Sequence, residues 1–167
     1  MSDLLILWSA RLVLVGVVAC GFWVLGARRD PVESRGFCVL WSATLLMLLF
    51  HVACAYQFRH DWSHAAAYAD TARRSEELLG QPVGSGIYWN DALVLWWSAD
   101  VVWMWAAPAG YRRRPRWWSW SLAAFLAFML FNAAIVFATG PARWMGVASC
   151  VALVGYWLMR RRRTAPA

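Results

Sequence analysis

Five long runs of apolar residues dominate the chain and alternate with shorter polar segments. The runs cover residues 4–26, 37–58, 88–107, 117–138 and 142–159. A helix needs ~20 apolar residues to cross a hydrocarbon core of ~30 Å, and a bilayer satisfies no exposed backbone group, so each run should be an α-helix. We therefore predict an all-α fold: a polytopic transmembrane helical bundle of five spans, in a single membrane domain over residues 1–167.

The connection between the second and third runs has a different pattern. Residues 61–79 contain no Pro or Gly, mix apolar with charged side chains, and are followed by Gly80 and Pro82. This pattern predicts a helix with a stop signal, and its amphipathic character favours a position on the membrane surface. We expect one surface helix over residues 61–79 that caps the bundle on the extracytoplasmic side.

Composition excludes an ordinary soluble domain. Apolar residues make up 62% and charged residues 15% of the 167 residues, whereas soluble domains average about 45–50% and about 25%. The net charge of +7 comes from 16 basic residues, all of them Arg. These arginines flank apolar runs, so they are interpreted as determinants of topology and as contacts to lipid headgroups, and no nucleic-acid partner is expected.

The distribution of arginines predicts the orientation, because short basic segments stay in the cytoplasm. Eleven arginines fall in segments that five spans place on one side, namely Arg28, Arg29, Arg35, Arg112, Arg113, Arg114, Arg116 and Arg160 to Arg163. The prediction is an extracytoplasmic N-terminus and a cytoplasmic C-terminus in a bacterial-type plasma (inner) membrane. The expected partners are the bilayer and either other membrane subunits or a second copy of the chain.

Ionisable residues inside the apolar runs are the candidates for function, because burying one at mid-membrane costs roughly 2.5–3.5 kcal/mol. Arg11 lies in the first run and Asp100 in the third. We expect these two side chains to form a buried ion pair. Asp91 is nine residues before Asp100 and so points ~180° away on a straight helix, at the outer mouth of the bundle.

A polar layer is predicted in the outer half of the bundle. Arg11, His51 and Asn132 all lie ~9–11 Å below the outer ends of their runs, at ~1.5 Å of rise per residue. Cys54 shares the face of His51 at spacing i, i+3. If these side chains face inward, they line a polar pocket that opens outward beneath the surface helix.

The histidines suggest a transition-metal site in that pocket. His60 and His64 have the i, i+4 spacing of metal-binding pairs. An interruption of the helix near residues 59–61 would let His51 converge with them. Asp91 would then be a fourth ligand or a catalytic base. Such ligands suit zinc, copper or iron, and a metal-bound water could serve hydrolysis, so a metal-dependent hydrolase or a metal carrier is the first function hypothesis.

Other interpretations of the same residues remain open. His60 and His64 could be polar residues of an exposed helix, and His51 a hydrogen-bonded core residue. The chain would then be a non-catalytic accessory or assembly subunit of a membrane complex. Haem binding needs two axial ligands and only His51 lies well within a run, so haem and quinone binding are less favoured. No HExxH motif or placed Ser nucleophile indicates a protease.

Overall fold

The computed structural model of the chain describes residues 1–27, 30–138 and 140–164. Within these ranges the structure consists of helices joined by turns, without a β-strand. The helices are α1 (Ser2–Gly26), α2 (Arg35–Arg59), α3 (His64–Leu79), α4 (Gly86–Ala106), α5 (Pro108–Arg112), α6 (Arg116–Phe131) and α7 (Pro141–Thr164). A 3₁₀ turn, Pro31–Glu33, precedes α2, and a π-helical turn, Asn132–Val136, continues α6. Arg28 and Arg29, two of the eleven arginines that predict the orientation, lie outside the described residues.

The all-helical class is confirmed, and three of the described helices are long and apolar enough to cross a membrane. These are Ser2–Gly26, Arg35–Arg59 and Arg116–Val136. The helices found at the other two predicted spans, α4 and α7, are not in this set. The helical membrane character is thus supported, whereas the number of spans stays a prediction.

The helical path is interrupted between α2 and α3, close to residues 59–61, where convergence of the three histidines would have required an interruption. Asp61 and Trp62 adopt positive φ angles of 46° and 57°, which end the helical path. The Ser63 side chain then accepts a hydrogen bond from the backbone N–H of Ala66 and caps α3. The helix ends at Gly80, whose left-handed φ of 72° suits glycine. The surface helix predicted over 61–79 therefore begins three residues later, at His64.

The helices pack in a chain of neighbours. α1 lies along α2 and α7, whereas α4 packs against α2, α3 and α6. Gly16 of α1 lets the first two helices approach closely, because a Cβ there would lie 2.5 Å from the Thr44 hydroxyl oxygen.

The core lies between α2, α4 and α6. Trp97 of α4 is completely buried, and four leucines surround it: Leu45, Leu93, Leu122 and Leu126. The Trp41 indole packs on Trp97 at a centroid distance of 4.6 Å. A second buried cluster of Cys38, Met104 and Tyr111 lies at the end of α4 where α5 begins. Between these two clusters α4 carries a buried carboxylate.

Candidate functional site

The buried carboxylate belongs to Asp100, which is 2% exposed. Its Oδ2 atom accepts hydrogen bonds from the Trp41 indole N–H at 3.0 Å and from the Tyr111 hydroxyl at 2.8 Å. Its Oδ1 atom accepts one from the Trp118 indole N–H at 2.8 Å. The donors come from α2, α5 and α6, so one side chain of α4 joins four helices. We call Asp100, Trp41, Tyr111 and Trp118 the Asp100 cluster.

Tyr111 is placed to donate rather than to lose its proton. Burial, and then the neighbouring Asp100 carboxylate, raise the pKa of the Tyr111 hydroxyl above its ordinary value. The Arg114 guanidinium lies 4.2 Å from the centre of the Tyr111 ring and also contacts the Asp30 carboxylate at 3.5 Å. Arg114 further donates to the Ser119 hydroxyl at 2.8 Å. The cluster thus extends through Tyr111 to the polar segments beside it.

The predicted Arg11–Asp100 ion pair does not form among the described residues. The Asp100 carboxylate is held instead by ring donors of α2, α5 and α6. The guanidinium carbon of Arg11 is instead 4.9 Å from the centre of the Trp8 ring, one turn nearer the N-terminus. Among the described residues, the Arg11 Nε atom is buried without a hydrogen-bond partner. The Asp100 carboxylate, which was predicted to pair with the Arg11 cation, accepts its hydrogen bonds from neutral aromatic side chains instead.

His51 connects α2 to α1. Its Nδ1 atom lies 3.2 Å from the Ile6 carbonyl oxygen and 3.0 Å from the Ser9 hydroxyl. A carbonyl oxygen can only accept, so Nδ1 carries a proton when it bonds to Ile6. Ser9, which is buried, also donates to the Leu5 carbonyl one turn back. His51 is therefore occupied by hydrogen bonds within the bundle.

The remaining members of the predicted polar layer do not join His51. Asn132 lies in the π-helical turn and donates to the Phe128 carbonyl of the preceding turn. Cys54 is buried in α2. A shallow, open depression of about 600 Å³ lies elsewhere, beside Gly140, Trp144, Met145 and Ala148 at the start of α7. The described structure does not assemble the outward-opening polar pocket from the predicted residues.

His60 and His64 do not share a helical face, because the positive-φ residues Asp61 and Trp62 separate them. His60 follows the end of α2, and its ring meets the Tyr56 ring edge-on at 5.8 Å. His64 is the first residue of α3, and its Nε2 atom lies 2.9 Å from the Asp91 Oδ2 atom of α4. The i, i+4 argument for a histidine pair therefore does not apply.

Two of the four predicted metal ligands meet, at the outer edge of the bundle. The side chains of His64 and Asp91 are 46% and 41% exposed, and the His64 ring stacks on Tyr88 at 5.6 Å. Across the part of the chain that the structure describes, no group of three or more His, Cys, Asp or Glu side chains is placed to hold a metal ion. His64 and Asp91 thus form a surface pair that ties α3 to α4.

Comparisons with known proteins leave the interpretation to the geometry. The chain matches no family model, no curated protein sequence and no solved structure.

The sequence analysis missed the three donors of the Asp100 cluster. Trp41 and Trp118 lie near the ends of their apolar runs, where tryptophans are typical anchors in the headgroup layer, and Tyr111 lies in a polar segment between runs. The available signal was chemical: a buried carboxylate in a helix without a reachable cation needs N–H or O–H donors, and this chain has 14 Trp. An indole N–H is a donor only, so tryptophans near Asp100 in depth were the candidates.

Proposed function

We propose that the chain crosses a bacterial-type inner membrane five times, with α4 and α7 as the additional spans and the N-terminus outside. α4 has 21 residues and α7 has 24, which at ~1.5 Å per residue exceed a core of ~30 Å. α7 also follows α1, since Leu153 lies against Gly21 and Tyr156 packs on Phe22 at 5.3 Å. The excess of arginine in the segments assigned to the cytoplasm supports this orientation.

Within this topology we propose that the protein is a non-catalytic accessory subunit of a membrane complex. Two polar side chains within the bundle are held by protein partners: Asp100 by three ring donors and His51 by the first turns of α1. A side chain that is held in this way stabilises a specific helix arrangement, and a ligand would have to displace its protein partners. These contacts favour a structural over a catalytic role.

The observation that carries the proposal is the exposed face of α4. Tyr88, Leu95 and Val102 recur every seven residues on this face and are 57%, 71% and 64% exposed. Ala92, Ala99 and Ala106 alternate with them, at spacings of four and three residues; Ala99 and Ala106 are exposed and Ala92 is half-buried. Large residues that alternate with small ones at this period suit close, left-handed packing of a second helix in a membrane.

The neighbouring α6 exposes a similar surface. Ala123, Ala124 and Ala127 are exposed next to the large side chain of Phe128, which is 56% exposed. The exposed face of α1 is different, because it carries large residues such as Leu4, Leu12, Val15 and Val24. A face of large aliphatic side chains is typical of contact with lipid chains, whereas alanines permit close helix contact. We therefore assign the partner span to α4 and α6.

Ala99→Leu tests this assignment against the matched substitution Val15→Leu on α1. Both changes enlarge an exposed side chain in an apolar helix. Source membranes would be solubilised in mild detergent, and the mass of the native complex measured by electrophoresis and mass photometry. We expect a complex heavier than the 19.0 kDa chain that Ala99→Leu dissociates and Val15→Leu preserves. A wild-type monomer, a complex of this chain alone, or equal effects of the two substitutions would reject a partner subunit on this face.

A transition-metal function is the second candidate, and the His64–Asp91 contact at 2.9 Å favours it. An imidazole and a carboxylate are ligands for zinc, copper or iron, with Asp91 as a ligand or base. Elemental analysis of purified protein tests this function: His64→Ala should remove a stoichiometric metal that His51→Ala retains. Wild-type protein without stoichiometric metal would discard it, and a visible absorption spectrum tests haem in the same sample.

A further inference from the structure

Two sets of arginines in the described chain differ in their contacts. Three near the α3 side of the molecule are neutralised by carboxylates. Arg59 contacts Asp3 at 3.1 Å, Arg73 contacts Asp70 and Glu77, and Arg74 contacts Asp70 at 3.0 Å. Their positive charges are thus largely balanced within the protein.

The corner between α5 and α6 carries the opposite arrangement. Arg112, Arg113 and Arg116 are exposed, and no carboxylate of the described residues forms an ion pair with any of them. Arg114, in the same run, turns inward onto Tyr111 and Asp30, and its side chain is only 11% exposed. Arg114 thus contributes to packing within the protein, whereas the other three arginines of the run expose positive charges without a carboxylate partner among the described residues.

This corner lies at the boundary of the hydrocarbon core. The apolar segment that begins with Arg116 and ends with Val136 has 21 residues, or ~31 Å at ~1.5 Å per residue, which matches a core of ~30 Å. Trp117 and Trp120 follow at once and are 62% and 73% exposed. Arg116 and Trp120 are four residues apart on α6 and share a face. Exposed indoles beside guanidinium groups are typical of the headgroup layer.

We propose that Arg112, Arg113 and Arg116, with Trp117 and Trp120, form a surface that binds the phosphates of anionic phospholipid headgroups. A guanidinium group makes two parallel hydrogen bonds to a phosphate. The three unpaired charges favour a lipid with net negative charge over a zwitterionic one, because the positive charge of a zwitterionic headgroup offsets its phosphate. The indoles hold the corner at the level of those phosphates.

The test uses ¹⁹F spectra of the full chain labelled with 5-fluorotryptophan in nanodiscs, with Trp117→Phe and Trp120→Phe assigning the two signals. Spin-labelled phosphatidylglycerol and spin-labelled phosphatidylcholine are compared as relaxation probes. At low salt we expect phosphatidylglycerol to broaden both signals at least about threefold more than phosphatidylcholine does. Because headgroup attraction is electrostatic, high salt should bring this ratio close to one.

Two triple variants distinguish a specific surface from a general effect of net charge. Arg112→Gln, Arg113→Gln and Arg116→Gln together should abolish the preference for phosphatidylglycerol. Arg59→Gln, Arg73→Gln and Arg74→Gln remove the same charge from paired positions and should preserve it. An Arg→Lys version of the first set should retain most of the preference, which separates loss of charge from loss of fold. A wild-type ratio near one, or equal losses in both Gln sets, would overturn the proposal.

Discussion

The two aspartates of α4 occupy opposite environments, although they lie only nine residues apart on one helix. Asp100 is 2% exposed and accepts three hydrogen bonds from rings of three other helices. The Asp91 side chain is 41% exposed and meets a single imidazole. Water competes for hydrogen bonds to the exposed Asp91 carboxylate but not to the buried Asp100 carboxylate. Asp100 therefore stabilises the bundle, whereas Asp91 makes a weak surface contact.

The largest effect should follow removal of the buried carboxylate. Asp100→Ala leaves two indole N–H groups and one hydroxyl buried without their acceptor, and we expect a loss of about 3–5 kcal/mol in the free energy of unfolding. Asp91→Ala is the matched control on the same helix and should cost less than about 1 kcal/mol. Thermal unfolding in detergent, followed by a thiol-reactive dye, measures both. Equal losses would remove the contrast between the two ends of α4.

A smaller effect is expected when one donor of the cluster is removed. Tyr111→Phe deletes a hydrogen bond to a charged acceptor, which is worth about 1.5–3 kcal/mol. Since the pKa of Tyr111 is raised above its ordinary value of 10, its stabilising effect is complete below pH 10 and decreases as pH rises further. Unfolding measured from pH 8 to 11 should show a steeper alkaline loss in the wild type than in Tyr111→Phe. Parallel profiles would contradict this role.

The outer contact between α3 and α4 should contribute still less. His64→Ala removes an exposed pair, and we expect a change of about 0–1 kcal/mol in global stability. Amide hydrogen exchange should nevertheless become faster in α3, because the pair links this helix to α4. A global loss as large as that of Asp100→Ala would show that the outer end is also an anchor.

The smallest effect concerns charge pairs on α3. Burial raises the pKa of the Asp70 carboxyl, but its hydrogen bond to Arg73 and the charges of Arg74 and Arg73 outweigh this and hold it below its ordinary value of 3.8. The stabilisation is therefore present above pH 3.8 and is lost as pH falls further. The protection of α3 against exchange, relative to the intrinsic exchange rate at each pH, should fall below pH 3.8 in the wild type, and Asp70→Asn should show lower protection already at neutral pH. Identical protection of α3 in both proteins would show that Asp70 does not stabilise this helix.

Helix positions could be predicted from the sequence because apolar runs of membrane length leave the backbone few alternatives. α2 was predicted over 37–58 and spans Arg35–Arg59, and α4 was predicted over 88–107 and spans Gly86–Ala106. The π-helical turn Asn132–Val136 was not predicted, because backbone geometry of this kind leaves no periodic pattern. The number of spans also stays a prediction, because α4 and α7 are not among the three described helices that are long and apolar enough to cross a membrane.

The candidate site was harder to predict because depth along a helix does not determine its neighbours. Arg11 and Asp100 were paired by depth and charge, yet the partners of the Asp100 carboxylate come from α2, α5 and α6. The histidine spacing assumed a continuous helix, whereas Asp61 and Trp62 reverse the chain between His60 and His64. Which helices are neighbours, and where the backbone turns between them, depend on tertiary packing. A single sequence does not show that packing directly.

Residues 99 and 100 allow the most direct test of the central claim, that the interior of the bundle serves its own fold and the α4 face serves a partner. Asp100→Asn and Ala99→Leu would each be measured for unfolding free energy in detergent and for the mass of the native complex. We predict that Asp100→Asn lowers stability by about 1–3 kcal/mol while the folded fraction keeps its partner. Ala99→Leu should leave stability within about 0.5 kcal/mol and dissociate the complex. The account would be contradicted if each variant changed both stability and assembly. It would also be contradicted if Asp100→Asn dissociated the complex while Ala99→Leu lowered stability.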